Sequence, residues 1–214
     1  MYEDVKSKIV EAMRYMEEKS LNHGRSGNIS VKVSDDKILI TPSGVVKSRM
    51  KVEDILVVSP NGEILEGTLF PTVEMPMHLA IYKEFKHVGA VVHAHGLYSS
   101  ALAVSRESLP PIIEEMIMYT GGDVRVAEYA PFGSERLAKN VVEALRDRSA
   151  VLLANHGVVA CGKTLEQALE VLTLVERVSQ IYVLAKIMGR VNVLPDDVVE
   201  SQRAIFLRRI YESK

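Results

Sequence analysis

Only one cysteine, Cys161, stands in the 214 residues, so no internal disulfide can form. A lone thiol fits a reducing compartment, and a cytoplasmic location is expected. Charge of one sign is also missing. The 26 Lys and Arg against 28 Asp and Glu leave a net charge of −2, and the only cationic cluster, "LRRIYESK", is short and mixed. That gives no electrostatic case for a nucleic-acid partner. No stretch approaches the roughly 18 unbroken apolar residues of a membrane span. The opening "MYEDVKSKIVEAMRYMEEKS" is charged and amphipathic, unlike a signal peptide. Neither a linker-like change of composition nor an internal repeat breaks the chain, so residues 1–214 read as one domain.

What is there is apolar residue in quantity, 47% of the chain. At this length about 70% of the unfolded surface can be buried, enough for a core without disulfide or structural metal. Val5, Ile9, Ala12, Met13 and Met16 recur at helical spacing over residues 3–19. "NISVKVSDDKILIT" alternates, turns at Ser34-Asp35-Asp36 and resumes, as a hairpin does. "ILVVSPNGEILEG" predicts a second, with Asn61-Gly62 at its turn. Residues 74–86 predict a helix with Pro76 in its first turn. "HVGAVVHAH" reads as a strand and "LYSSALAVS" as a short helix. "PPIIEEMIMYTGGDVRVAEY" suggests extended segments around Gly-Gly. Residues 134–147 are helical, and "SAVLLANHGVVACGK" is strand, turn, strand. A long helix then opens on Thr164 and Gln167 at capping-box spacing and ends at Gly189. The last segment also reads as helical, either packed on a neighbouring subunit or frayed. Hairpins followed by helix–strand alternation predict an α/β fold with a mixed, mainly antiparallel sheet covered by helices.

The chemistry concentrates in four residues. His93 and His95 leave a strand on the same face, because side chains alternate and Ala94 points the other way. His156 sits in "LANHGVV", between a core strand and a glycine. Glu74 opens the helix that precedes the H-x-H strand. Three imidazoles and a displaceable carboxylate are the donor set of a catalytic rather than structural zinc. Each element alone is equally well a polar residue at a sheet end; their combination favours metal.

"GRSGNIS", "LITPSGVVK", "PTVEMPMHLAIY", "AVVHAHGLYSSALA" and "VLLANHGVVACGKTLEQAL", in that order, resemble the class II aldolase family of zinc-dependent sugar-phosphate lyases. The resemblance covers roughly residues 5–190 and implies a three-layer α/β/α fold. It implies Zn2+, or another divalent metal, on His93, His95 and His156, with Glu74 as ligand and catalytic carboxylate. It further implies a phosphate pocket from Gly27 and Asn28, Ser43 and Gly44, and Thr72. Glycine-freed backbone NH groups with small hydroxyl and amide donors can cradle a phosphate without a Walker-type lysine. The implied reaction is cleavage of a ketose 1-phosphate, such as L-fuculose 1-phosphate, to dihydroxyacetone phosphate and an aldehyde through an enediolate whose charge the metal offsets. A lysine Schiff base would serve the same end, but no lysine stands in a motif that suggests one.

The family also implies a homotetramer and a tyrosine from a neighbour's tail, for which Tyr211 is the candidate. Two departures touch the substrate. Thr72-Val73 stands where the family's fuculose-type members have paired serines. Glu115 takes the place of an aromatic acid, with Tyr119 four residues later. The same scaffold supports 4-epimerisation, dehydration of a methylthiopentulose phosphate and decarboxylation, and, without the histidines, an adducin-head-like binding module.

The remaining candidates have plainer readings. His78, four residues after Glu74, is an ordinary helix residue before it is a hydrogen-bond partner of the site. His23 and His87 are solvent-facing, Cys161 is a small buried hydrophobe, and Met75, Met77, Met116 and Met118 are packing. Arg25 is either a phosphate contact or a solvated loop charge.

Overall fold

A strand buried along its whole length belongs in mid-sheet with both faces covered, and β5 (Ala90–Ala94) is such a strand. The computed structural model describes residues 2–211. Before β5 come α1 (Glu3–Glu18), β1 (Asn28–Lys32), β2 (Ile38–Ile40), β3 (Leu56–Val58), β4 (Ile64–Glu66) and α2 (Met75–Glu84). After it come α3 (Leu97–Ser105), α4 (Glu114–Thr120), β6 (Arg125–Ala127), α5 (Glu135–Leu145), β7 (Ala150–Leu153), β8 (Gly157–Gly162), α6 (Leu165–Ile187) and α7 (Asp196–Tyr211). The strands form one sheet in the order β4-β3-β2-β1-β5-β8-β7-β6. Every pairing is antiparallel except β6 with β7.

Alternation divides the core into two layers. Ala90, Val92 and Ala94 of β5 join Ile29, Leu152, Val158 and Ala160 under α1, α3, α4 and α6. Val91 joins Ile38, Ile40, Val151 and Val159 under α2 and α5. This is the three-layer α/β/α arrangement with a mixed, mainly antiparallel sheet that the sequence predicts. Both early hairpins form, and Gly62 of the second turn has φ +87°. Thr164 caps α6 by accepting from Gln167 N, while the Gln167 side chain reaches Lys163 N instead of closing the box on Thr164.

The structure corrects the sequence reading between Pro110 and Tyr129. Residues 114–120 are helical, not extended: Met116, Ile117 and Thr120 turn to the core, Glu114 and Glu115 occupy the first turn, and Gly121 closes the helix at φ +84°. The final segment is a helix, as expected, but it packs on α4 of its own chain. Phe206 is buried against Gly121, and Arg203 donates to the Gly121 carbonyl and pairs with Asp147. No described helix is long and apolar enough to cross a membrane.

Candidate active site

The sheet brings the three histidines together from two chain segments. His93 lies inside β5, opposite Asn28 of β1 on one side and Val159 of β8 on the other. His95 follows the strand end, where its backbone N–H donates to Leu21 O at 2.9 Å. His156 sits in the β7–β8 turn after Asn155, which adopts φ +57°. Gly157 makes their approach possible: a Cβ there would stand 2.4 Å from Ala94 O and 2.7 Å from His95 Cδ2. Glu176 of α6 locks the turn beyond His95, accepting from Tyr98 N and Ser99 N at the start of α3.

One nitrogen from each imidazole falls within 4.8 Å of the others. His93 Nε2 is 2.9 Å from His95 Nε2 and 3.1 Å from Glu74 Oε2, and His156 Nε2 is 3.3 Å from Glu74 Oε1. Donors on a tetrahedral ion with bonds of about 2.0–2.1 Å stand about 3.3 Å apart, so this spacing suits one small divalent cation. Two further observations support the fit. His93 Nδ1 is 3.0 Å from Val158 O, a bond that places its proton on Nδ1 and turns Nε2 to the cluster. Glu74 Oε1 is buried and accepts no hydrogen bond.

The electrostatics agree. Burial, reinforced by the other histidines, pushes His95 down to about 3 and His156 down to about 4, which favours the neutral form that binds metal. Burial works against charge on His93, yet the adjacent Glu74 carboxylate prevails and raises it. For Glu74 burial is likewise overcome, by His93, His156 and Asn28, which hold it below the usual carboxylate range.

Glu74, at the N-terminus of α2, lines a cleft of about 370 Å³ that His95 and His156 also border. Gly27, Asn28, Ser43, Gly44 and Thr72 all line it, and so does Arg25. Their loops are tied side by side: Ser43 N donates to Phe70 O and Thr72 N to Thr41 O. Gly27, at φ +76°, admits no Cβ, which would meet the Asn22 amide within 2.4 Å. The Asn28 amide is already engaged, with Nδ2 donating to Glu74 and Oδ1 facing His78 Nε2.

Lys47 is the cleft residue that sequence reasoning missed. It is 2% exposed, its backbone N–H donates to Gly24 O, and its Nζ donates to Pro42 O at 3.3 Å. Burial, opposed by the Glu74 charge, pushes it down to about 8. A lysine directly after "PSGVV" was a visible signal, since a charge embedded in apolar sequence needs a partner or a ligand.

Other candidates lie elsewhere. Within its own subunit Tyr211 sets its ring edge against His87, 5.4 Å between centroids, and so stays outside the cleft. His87 is therefore half-buried, not solvent-facing; His23 is exposed as expected. Glu115 and Tyr119 border a separate groove with Glu170 and Arg177, and Arg209 stacks over the Tyr119 ring. Cys161 is buried in β8, and Met77 and Met116 are core.

The fold and the three-histidine cleft together define a protein class. Residues 7–183 match the family model described as Class II Aldolase and Adducin N-terminal domain, and the chain belongs to that family. It is 34% identical over 197 residues to the 5-deoxy-D-ribulose 1-phosphate aldolase of Bacillus thuringiensis serovar kurstaki, covering 92% of each chain. It is 34% identical over 192 residues to the L-fuculose phosphate aldolase of Escherichia coli K12, covering 89% of this chain and 88% of that one. A solved L-fuculose 1-phosphate aldolase superposes with a TM-score of 0.91 at 40% identity, covering 95% of this chain and 96% of that one. The expectation of a lyase of the class II aldolase type is borne out.

Proposed function

We propose that the chain, acting as one domain, is a zinc-dependent aldolase that cleaves a ketose 1-phosphate to dihydroxyacetone phosphate and an aldehyde. The observation that carries this reading is the cleft itself: three imidazoles and a buried carboxylate at one end, glycine-rich loops and a buried lysine at the other. His93, His95, His156 and Glu74 would hold the ion, and a divalent cation there would act as a Lewis acid toward the substrate's carbonyl and hydroxyl oxygens. The backbone NH groups around Gly27 and Gly44, the hydroxyls of Ser43 and Thr72 and the Lys47 ammonium are donors for the phosphate.

In the cleavage direction the C4 hydroxyl loses its proton, the C3–C4 bond breaks, and its electron pair stays on the three-carbon fragment. Glu74, a carboxylate at rest, takes up a proton from water and passes it to C3. A base must take the C4 proton, and the phenolate of Tyr211 from a neighbouring subunit of a homotetramer fills that role in this proposal. Val73 and Phe132, exposed and bordering the cleft, favour an aldehyde with a methyl end. Two of the ketose phosphates that the relatives' names carry fit this: 5-deoxyribulose 1-phosphate releases acetaldehyde, and L-fuculose 1-phosphate releases lactaldehyde.

The test is zinc-loaded protein with dihydroxyacetone phosphate and a panel of aldehydes, products identified by mass and stereochemistry. Condensation with acetaldehyde or lactaldehyde is expected. Silence across the panel, with turnover of a pentulose phosphate lacking C–C cleavage, would replace aldolase by epimerase or dehydratase.

A further inference from the structure

Behind Glu74 runs a line of buried polar groups that the metal centre does not account for. Asn28 Nδ2 donates to Glu74 Oε2 at 2.8 Å, and Asn28 Oδ1 lies 2.6 Å from His78 Nε2. His78 Nδ1 is 2.7 Å from Ser30 Oγ, which is 2.9 Å from the Tyr82 hydroxyl. His78 and Ser30 are fully buried, and Asn28 and Tyr82 nearly so.

Once its first member is fixed, the line has one direction. An ionised carboxylate only accepts, so Asn28 must turn its NH2 to Glu74 and its oxygen to His78. His78 Nε2 must then carry hydrogen. Neutral imidazole is left with a lone pair on Nδ1, so the Ser30 hydroxyl donates to it and accepts from Tyr82 in turn. A reversed Asn28 would press oxygen against carboxylate oxygen and N–H against N–H. Ser30 lies on β1 with Asn28, while His78 and Tyr82 lie on α2, the helix that Glu74 opens. The line therefore sets helix against strand in one register.

We propose that His78, backed by Ser30 and Tyr82, is a positioning residue that fixes the Asn28 amide and through it the placement of the Glu74 carboxylate. The inference rests on the reading of Glu74 as the group that acts on substrate. Its cost argues for it. Four polar side chains in an otherwise apolar layer must each be desolvated, and an all-apolar set of the same volume would hold the layer without that penalty. What the polar set adds is orientation, and a misplacement of about 1 Å at a reacting group can cost about a hundredfold in rate.

The experiment compares wild type, H78Q, H78F and S30A in metal-replete form, with ¹⁵N NMR of the His78 ring. In wild type the ring proton is expected on Nε2. H78F should lose about 10- to 100-fold in kcat with metal content unchanged and KM within about threefold. H78Q, whose amide N–H can still donate to Asn28, should recover to within about fivefold of wild type. If H78F fails to melt cooperatively, S30A carries the test: His78 loses its donor at Nδ1 while the ring proton stays on Nε2 toward Asn28, and kcat should fall about threefold or more. A ring proton on Nδ1 in wild type, or H78F with kcat within twofold of wild type, would overturn the inference. Wild type inactive across the aldehyde panel would remove the aldolase reading, while the NMR measurement still judges the hydrogen-bond direction without turnover.

Discussion

The Nε2 atoms of His93 and His95 stand 2.9 Å apart, and His93 Nδ1 is already committed to Val158 O. Two lone pairs cannot face each other at that distance, so one proton occupies the gap when no cation does. Glu74, 3.1 Å from the same His93 nitrogen, raises that imidazole's affinity for the proton against the effect of burial. Metal uptake must clear it from the gap.

Where that proton makes His93 an imidazolium, zinc binding is expected to release it, and where it belongs to a neutral His95 ring it moves to Nδ1 and none is released; calorimetry in buffers of different ionisation enthalpy reads the difference. For the metal-free protein the raised His93 value gives one sign. The stability this proton confers is complete below the unfolded histidine's pKa and is lost as pH rises through the folded value. His95 and His156, held neutral in the fold, act the other way and outnumber it: below about pH 6.5 the unfolded chain binds protons there that the folded chain does not, so zinc-free protein should melt at a higher temperature as pH rises from 5 to 6.5. Proton-neutral zinc binding would place the gap proton on a neutral His95 ring.

Glu74→Gln keeps the size of the side chain and its contact with Asn28 but removes the charge that carries a proton. A loss of about 10²–10⁴ in kcat is expected, with zinc still bound through the three imidazoles. Metal content by atomic absorption and single-turnover cleavage separate the two effects. Full activity with zinc present would remove Glu74 from the chemistry.

The sequence made the histidine cluster legible because its signals are local. Alternation alone puts His93 and His95 on one face, and a glycine after His156 marks a tight turn. The hairpins and the long helices carried equally local signals in Asn61-Gly62, Thr164 and Gly189. What stayed hidden depends on tertiary register. Asn28 meets His78 across 50 residues, and only the pairing of β1 with β5 brings Asn28 beside His93. Lys47 was given no reading, since its burial depends on contacts with the Gly24 and Pro42 carbonyls that the fold supplies. Helix α4 was masked by its flanks, since Pro110-Pro111 and Gly121-Gly122 read as turns and only seven residues lie in the helix.

Lys47 gives a prediction in pH. Its ammonium is pushed down to about 8 by burial, against the pull of Glu74, so the free enzyme loses this cation above that value. Since kcat/KM reports ionisations of the free enzyme, it should fall above about pH 8, while kcat, measured with the phosphate dianion bound, should hold. Lys47→Arg should move that limb to higher pH, because guanidinium stays charged. Lys47→Met should raise KM about tenfold or more with kcat within about threefold. Folding stability moves the other way: between about pH 8 and the ordinary 10.5 the unfolded chain binds a proton that the folded chain has released, so stability rises with pH across that window. If Lys47 formed an imine instead, Lys47→Met would abolish turnover, and borohydride with dihydroxyacetone phosphate would inactivate the enzyme.

Gly157→Ala tests whether the imidazoles owe their convergence to a missing side chain. A new Cβ would stand 2.4 Å from Ala94 O, 2.7 Å from His95 Cδ2 and 3.3 Å from His93 Cε1. The nearest of these is backbone of the adjoining strand, so relief requires β5 and β8 to separate or the histidine rings to tilt apart. Overpacking of this kind costs about 1–3 kcal/mol, and here it acts directly on two ligands. Zinc stabilises whatever folded state binds it, by an amount set by its affinity. Wild type should therefore gain melting temperature on zinc addition, and Gly157→Ala should lose most of that gain as well as melting earlier without zinc. A variant that melts earlier yet keeps the full zinc-induced rise would mean that the sheet absorbs the methyl group and that the rings are held by other contacts, chiefly the Val158 carbonyl on His93.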